Sequence, residues 1–121
     1  MSLPQRGNYS YSLKKFQTKK NVVLVFAKNS NDPTFVRQKE AWKDRYADFR
    51  KSDVVLFYVF ESGEGRAGNE VLREIDSQDL RKAYKAKSGD FQILYIDKQG
   101  KQRRSASQII ATDKLAKFLK G

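Results

Sequence analysis

A short polar segment that directly follows an apolar run carries the side chains best suited to chemistry. It consists of Lys28, Asn29, Ser30, Asn31 and Asp32, and Pro33 comes next. Proline suits the first turn of a helix, so the segment is predicted to end at a helix amino terminus, where free backbone N–H groups attract anions. We expect these five residues to form either a small anion or peptide site or only a helix cap, with Ser30 or Asp32 as the capping residue.

The chain contains no cysteine and no histidine. Without cysteine it has no disulfides, no thiolate metal sites and no thiol catalysis. Without histidine it lacks the commonest general base, so the Ser30 hydroxyl has no obvious activating group. We therefore expect no catalytic residue, no metal site and no cofactor. An enzyme of non-thiol chemistry that uses residues 28–32 is kept as an alternative.

The charge of the chain is strongly positive, with 25 Lys and Arg against 14 Asp and Glu and a formal net charge of +11. Such an excess favours association with anionic partners. A candidate patch for a protein or another anionic surface comprises Lys98, Lys101, Arg103 and Arg104. Phosphate binding by a nucleic-acid-binding domain is an alternative, and so is the protection of an exposed sheet edge from aggregation, which we favour over nucleic acid.

Residues 63–68 have the glycine spacing G-x-G-x-x-G. In dinucleotide-binding proteins this motif directly follows a strand and opens a helix. Here Glu64 would repel a pyrophosphate, so we expect a linker loop that binds no nucleotide. We expect Glu61 and Glu64 to be ordinary surface acids.

Three apolar runs predict the strands that position these segments: residues 21–27, 53–60 and 91–96. Each run is apolar on both faces, which is typical of central strands, and we expect the three to lie side by side and parallel. Residues 97–100 have the composition of a tight turn, and residues 101–105 are predicted to form a polar edge strand that closes a hairpin.

Three helices are predicted between and after these strands. The first follows Pro33 and is one amphipathic helix with an aromatic core face formed by Phe35, Trp42, Tyr46 and Phe49. The second is short, with Ser77 as its cap and Asp79 in its first turn. The third is capped by Thr112 and buries Leu115, Phe118 and Leu119. The expected fold is α/β, a three-layer sandwich with a mixed sheet of about four strands and helices on both faces.

Three segments of the sequence resemble one family: NVVLVFAKNSNDP, ILYIDKQGKQRR and TDKLAKFL. It is a thioredoxin-like domain-of-unknown-function family that is related to peroxiredoxins and lacks the CxxC motif. The resemblance implies a thioredoxin-like domain over residues 13–121, preceded by a flexible tail over residues 1–12. In redox-active thioredoxins the two cysteines lie roughly where Ser30 and Pro33 lie here. The proline that usually precedes the third strand is also missing, since Gly89 and Asp90 are found there.

The function expected from these observations is that of a non-redox binding or accessory module. The resemblance implies a periplasmic or secreted location, reached after loss of a leader. No apolar run approaches the roughly 20 residues that a membrane span needs, so none is predicted. The partner is expected to be a protein or another anionic surface, and the oligomeric state is left open.

Overall fold

The computed structural model describes residues 20–120. The predicted tail and the predicted start of the domain at residue 13 lie outside the described residues. The strands are β1 (Asn21–Ala27), β2 (Val54–Phe60), β3 (Gly65–Ala67), β4 (Glu70–Leu72), β5 (Gln92–Ile96) and β6 (Gln102–Ala106). The helices are α1 (Pro33–Trp42), α2 (Tyr46–Lys51), α3 (Glu74–Ala83) and α4 (Leu115–Leu119), and a 3-10 turn at Thr112–Lys114 precedes α4.

The strands form one mixed sheet in the order β4-β3-β2-β1-β5-β6. β1 and β2 are parallel, with Asn21 opposite Val54, and every other neighbouring pair is antiparallel. The three apolar runs do lie side by side, in the order β2-β1-β5, but the prediction that all three are parallel was wrong. β5 is antiparallel to β1, with Val22 opposite Ile96.

The direction of β5 follows from where the preceding helix lies. Gln78 and Arg81 of α3 both contact Glu61, the residue directly after β2. The chain therefore remains at the end of the sheet where the carboxyl terminus of β2 lies, and it enters β5 from that end. A parallel β5 would instead require the chain to return to the opposite end of the strands before β5 begins.

Part of the predicted linker loop, residues 63–68, belongs to a β-hairpin that spans residues 65–72. β3 and β4 are joined by Gly68 and Asn69, and Gly68 has a φ of +65°. A positive φ at the first central residue is the requirement of a type II′ hairpin turn. Gly65 fits for a different reason, because a Cβ at this position would lie 1.9 Å from the backbone oxygen of Tyr58. This hairpin raises the number of strands from about four to six.

Three helix boundaries differ from the prediction. The single helix after Pro33 is divided into α1 and α2, so Tyr46 starts a second helix and is partly exposed, whereas Phe35, Trp42 and Phe49 are buried as predicted. Ser77 is not a cap but is fully buried within α3. The Thr112 hydroxyl caps no helix and instead donates a hydrogen bond to the Ala41 carbonyl at 2.6 Å.

The sheet is covered on both faces, which gives the expected three layers. On one face, α1, α2 and α4 bury side chains against β1, β2 and β5; the cluster includes Val23, Val25, Phe35, Trp42, Phe49, Tyr58, Ile93, Leu115 and Phe118. On the other face, α3 covers Val22, Leu24, Phe26, Phe57, Val59, Leu72, Leu80, Leu94 and Ile96. Within residues 20–120 no helix is long and apolar enough to cross a membrane.

Candidate functional site

The 28–32 loop connects β1 to α1, and its polar groups bond both to each other and to neighbouring main-chain groups. The Asp32 carboxylate accepts a hydrogen bond from the Phe35 N–H at 3.1 Å, and Pro33 follows as the first helical residue. The Asn29 side-chain oxygen accepts from the Asn31 N–H at 2.9 Å. The structure therefore shows Asp32 as the helix cap. Binding of an anion or peptide to this loop stays a prediction.

The Ser30 hydroxyl is exposed, and within residues 20–120 no side chain hydrogen-bonds to it. A serine nucleophile needs a base within hydrogen-bonding distance, and this loop offers none in the described part of the chain. Tyr46 and Tyr58 are hydrogen-bonded to each other, with their hydroxyl oxygens 3.3 Å apart. Burial, reinforced by the Tyr46 hydroxyl, raises the pKa of Tyr58, so this phenol stays protonated at neutral pH and cannot act as a base.

Glu61 directly follows β2 and lies beside the 28–32 loop. Its carboxylate accepts hydrogen bonds from the Gly89 N–H at 2.5 Å and the Ser88 hydroxyl at 2.9 Å, and it lies 3.9 Å from the buried guanidinium of Arg81. The Gly89 N–H lowers the pKa of Glu61 most, the Ser88 hydroxyl and the charges of Arg81 and Lys28 lower it further, and partial burial opposes them. Glu61 is therefore a structural carboxylate rather than the ordinary surface acid that the sequence predicted.

The backbone shortly before β5 contains Gly89 and Asp90. Here the Gly89 N–H already donates to Glu61. Sequence reasoning missed the pairing, because Glu61 and Gly89 are 28 residues apart and only the turn of α3 brings them together.

The four cations of the predicted patch have different surroundings. Lys98 donates to Asp53 at 3.3 Å, and this hydrogen bond is the largest of the effects that lower the pKa of the Asp53 carboxyl. The Arg103 guanidinium lies 3.8 Å from the Asp97 carboxylate, and a bulge in the pairing of β5 with β6 occurs at this point. Lys101 is exposed. Arg104 lines a cleft.

That cleft, which we call the basic cleft, has a volume of about 550 Å³ and lies between β6 and α4. Its lining consists of Arg104, Ala106, Ser107, Gln108, Ile109, Ile110, Ala111, Lys114, Lys117 and Phe118. Three of these residues are cationic and none is acidic. Lys114 and Lys117 were not among the predicted patch residues. They lie three positions apart, the spacing that places two side chains on the same face of a helix.

A second, smaller cleft of about 440 Å³ adjoins the first. It is lined by Lys85, Lys87, Gly89, Asp90, Phe91, Gln92 and Ser107. Ser107 is shared by both clefts, and the second cleft contains two lysines and one aspartate. Among residues 20–120 no cluster of three or more Asp or Glu side chains is arranged to hold a metal ion.

The fold is similar to those of several solved structures. A thioredoxin peroxidase I of Plasmodium yoelii superposes with a TM-score of 0.68 at 18% identity, covering 91% of this chain and 76% of that one. A reduced 2-Cys peroxiredoxin of Plasmodium vivax gives 0.68 at 16% identity over 89% and 80%. A mitochondrial 2-Cys peroxiredoxin of Plasmodium falciparum gives 0.65 at 18% identity over 89% and 78%.

At these identities the likeness establishes the fold alone, which is thioredoxin-like. The cysteines for which two of these proteins are named have no counterpart in this chain. The search of curated proteins found no match. The family described as "Domain of unknown function (DUF4174)" matches residues 12–119, nearly the whole sequence, and the chain therefore belongs to that family.

Proposed function

We propose that this chain is a non-redox binding module that recognises an acidic surface of a partner protein through the basic cleft. The observation that carries the proposal is the composition of that cleft: Arg104, Lys114 and Lys117 face a concave surface to which no Asp or Glu among residues 20–120 contributes. Unpaired cations around a cavity attract and hold negative charge.

The apolar part of the cleft favours a protein over a nucleic acid. Ile109, Ile110 and Phe118 contribute to the lining. Single-stranded nucleic acid is usually held by exposed aromatic rings on which bases stack, but Phe118 is only 8% exposed. A surface that combines aliphatic contacts with cations at its margin is more typical of an interface with an acidic, partly apolar peptide or protein.

The 28–32 loop supports the same conclusion by contrast. Its cap is formed, and the neighbouring Gly89 N–H is bonded to Glu61, so fewer free donors remain there for a ligand. We also propose an envelope or secreted location, which is the location that the family resemblance implies. Fractionation of cells that express the full-length native gene tests that location.

Binding of short labelled polymers tests the proposal. Fluorescence anisotropy would compare hexaglutamate, hexalysine and a nine-nucleotide single-stranded DNA at two salt concentrations. We expect hexaglutamate to bind, hexalysine not to bind, and the affinity for hexaglutamate to fall as salt increases.

Two variants of equal charge locate the site. The first carries Arg104→Glu, Lys114→Glu and Lys117→Glu. The control carries Lys39→Glu, Arg50→Glu and Lys82→Glu, three exposed cations outside the cleft. We expect at least tenfold weaker binding of hexaglutamate by the cleft variant than by the control. Equal losses in both would show that only net charge matters and would contradict the proposed site. Tighter binding of the DNA through the same three residues would replace the acidic protein with a nucleic acid.

A further inference from the structure

β6 lies at one end of the sheet. It pairs with β5 on one side, and among residues 20–120 no strand pairs with its other side. Its side chains are exposed from Gln102 to Ser105, and only Ala106 is partly buried. An exposed edge strand presents a row of main-chain N–H and C=O groups that can pair with another extended chain.

The basic cleft begins on this edge strand. Arg104 and Ala106 belong both to β6 and to the lining of the cleft, and the lining continues through residues 107–111 to α4. The cleft therefore adjoins the strand whose outer edge is unpaired within residues 20–120. Lys114 of the 3-10 turn and Lys117 of α4 form the opposite wall.

We propose that the acidic partner binds as an extended peptide that adds a seventh strand to the sheet beside β6, an inference that rests on the proposed function. Main-chain hydrogen bonds to the edge of β6 supply affinity that does not depend on sequence. Side chains of the peptide that point into the cleft recur every second residue, about 6.6 Å apart. Carboxylates at such positions pair with Arg104, Lys114 and Lys117, and an apolar side chain between them packs against Ile109 and Phe118.

Charge argues against a second copy of this chain at the same edge. β6 has the sequence QRRSA, with two adjacent arginines and no acid. Pairing two copies of β6 would bring the arginines of both chains close together, and like charges on neighbouring strands are destabilising. The formal net charge of +11 on each copy adds to this repulsion. An acidic strand at the same edge is instead attracted by the arginines of β6 and by the positive net charge of the chain.

Main-chain pairing can be tested separately from charge. The probe is a fluorescein-labelled, capped peptide with the sequence Thr-Glu-Thr-Leu-Thr-Glu-Thr. Two further versions carry N-methyl groups, one on the amides of the threonines and the other on the remaining amides. Alternate amides of a strand point to opposite sides, so only one of the two sets faces β6. We expect one methylated peptide to bind at least tenfold more weakly and the other to bind within threefold of the parent.

The amides of β6 supply a second measurement. Those that point away from β5 exchange with solvent in the free protein, and we expect the parent peptide to slow their exchange at least tenfold. The amides of α2, on a helix outside the cleft, serve as the control and are expected to be unchanged.

The outcomes separate this inference from the proposed function. If both methylated peptides bind like the parent while the cleft variant does not bind, charge recognition stands and strand addition is overturned. If the parent binds the cleft variant as tightly as the control variant, the proposed function itself fails. If the free protein sediments as a dimer whose β6 amides are already protected, the edge is occupied by a second copy and the inference is overturned.

Discussion

The side chain of Gln38 provides the sharpest test of how the basic cleft is built. Gln38 lies on α1, is only 1% exposed, and forms two hydrogen bonds with the main chain of Ile110, 72 residues away. Its amide nitrogen donates to the Ile110 carbonyl at 2.9 Å, and its oxygen accepts from the Ile110 N–H at 2.7 Å. Because Ile110 lines the cleft, Gln38 holds one wall of the cleft to the body of the domain.

The Gln38→Leu variant retains a side chain of similar size but removes both hydrogen bonds. It leaves one buried N–H and one buried C=O of Ile110 without a partner, each at a cost of about 1–3 kcal/mol. The free energy of unfolding should therefore fall by about 2–6 kcal/mol. In a domain of this size about 4 °C of Tm is lost per kcal/mol, which corresponds to a decrease of about 8–24 °C.

Urea and thermal unfolding, followed by circular dichroism, measure this effect. Lys39→Ala is the matched control, since Lys39 is the next residue on α1 and is exposed, and we expect it to change the unfolding free energy by less than about 0.5 kcal/mol. A Gln38→Leu variant as stable as this control would refute the reasoning, because it would mean that Ile110 finds other partners at little cost.

The Gln38→Glu variant tests the direction in which stability changes with pH. An ionised carboxylate can accept from the Ile110 N–H but cannot donate to its carbonyl, whereas a protonated carboxyl can do both. Burial raises the pKa of the introduced carboxyl in the folded protein above its unfolded value of about 4.3. Stability is then present at low pH and lost as the pH rises through the folded pKa, so this variant should lose more stability relative to wild type at pH 8 than at pH 5.

Three further predictions concern the rest of the domain. The pKa of Glu61 is lowered in the fold by the Gly89 N–H, so its contribution is present above the unfolded pKa and is lost as the pH falls through the folded pKa; wild type should be more stable than Glu61→Gln in urea at pH 7, and this advantage should shrink as the pH is lowered to 3. An equal difference at both pH values would count against this carboxylate. Phe35→Leu removes two edge-to-face ring contacts, at centroid distances of 4.8 and 4.9 Å, and should cost about 1–3 kcal/mol in urea unfolding. A loss below 0.5 kcal/mol by the same assay would show that these rings contribute little. Gly65→Ala places a Cβ 1.9 Å from a backbone oxygen and should cost about 3 kcal/mol, whereas Gly63→Ala, at a φ of +87° in open space, should cost about 1–2 kcal/mol. Equal thermal stability of the two alanine variants would contradict the packing of the β3–β4 hairpin.

Much of the fold is encoded in local patterns that can be recognised without a structure. The runs that form β1, β2 and β5 are too short and too apolar for surface helices, and each is a strand. The turn before β6 was also recognisable, because the Asp97 carboxylate accepts from the N–H groups of Gln99 and Lys101, as aspartate commonly does in turns.

The errors arose where local patterns have more than one solution. An apolar strand is equally apolar in both directions, so its sequence does not contain the orientation of β5. The strands β3 and β4 have three residues each, and three residues are too few to show an alternating pattern. The break between α1 and α2 left no signal because Phe35, Trp42 and Phe49 keep a seven-residue spacing on both sides of it. Ser77 has the residue type of a cap but lies within a helix, since only the tertiary structure determines which serine is buried.

The candidate sites also differ in how far they can be identified from the sequence. Residues 28–32 could be identified from sequence because they are contiguous, whereas the basic cleft joins Arg104 of β6 to Lys114 and Lys117 through the fold of residues 107–111. The sequence indicated that cations near the carboxyl terminus outnumber acids. It could not indicate that Lys98 is held by Asp53 while Lys114 and Lys117 line a cleft with no acid in its lining.

This difference in pairing is what favours the basic cleft over the end of β2 as the proposed binding site. A polar group that already has a good partner gains little from a ligand, because the ligand must first displace that partner. At the end of β2, the Glu61 carboxylate takes the Gly89 N–H and lies beside Arg81, so a competing anion must replace an internal carboxylate. In the cleft, no Asp or Glu among residues 20–120 balances the cations, so an incoming acid would have no internal carboxylate from this part of the chain to displace. The pairing of Glu61 therefore stabilises the fold at the end of β2, whereas the cations of the basic cleft carry the binding that we propose.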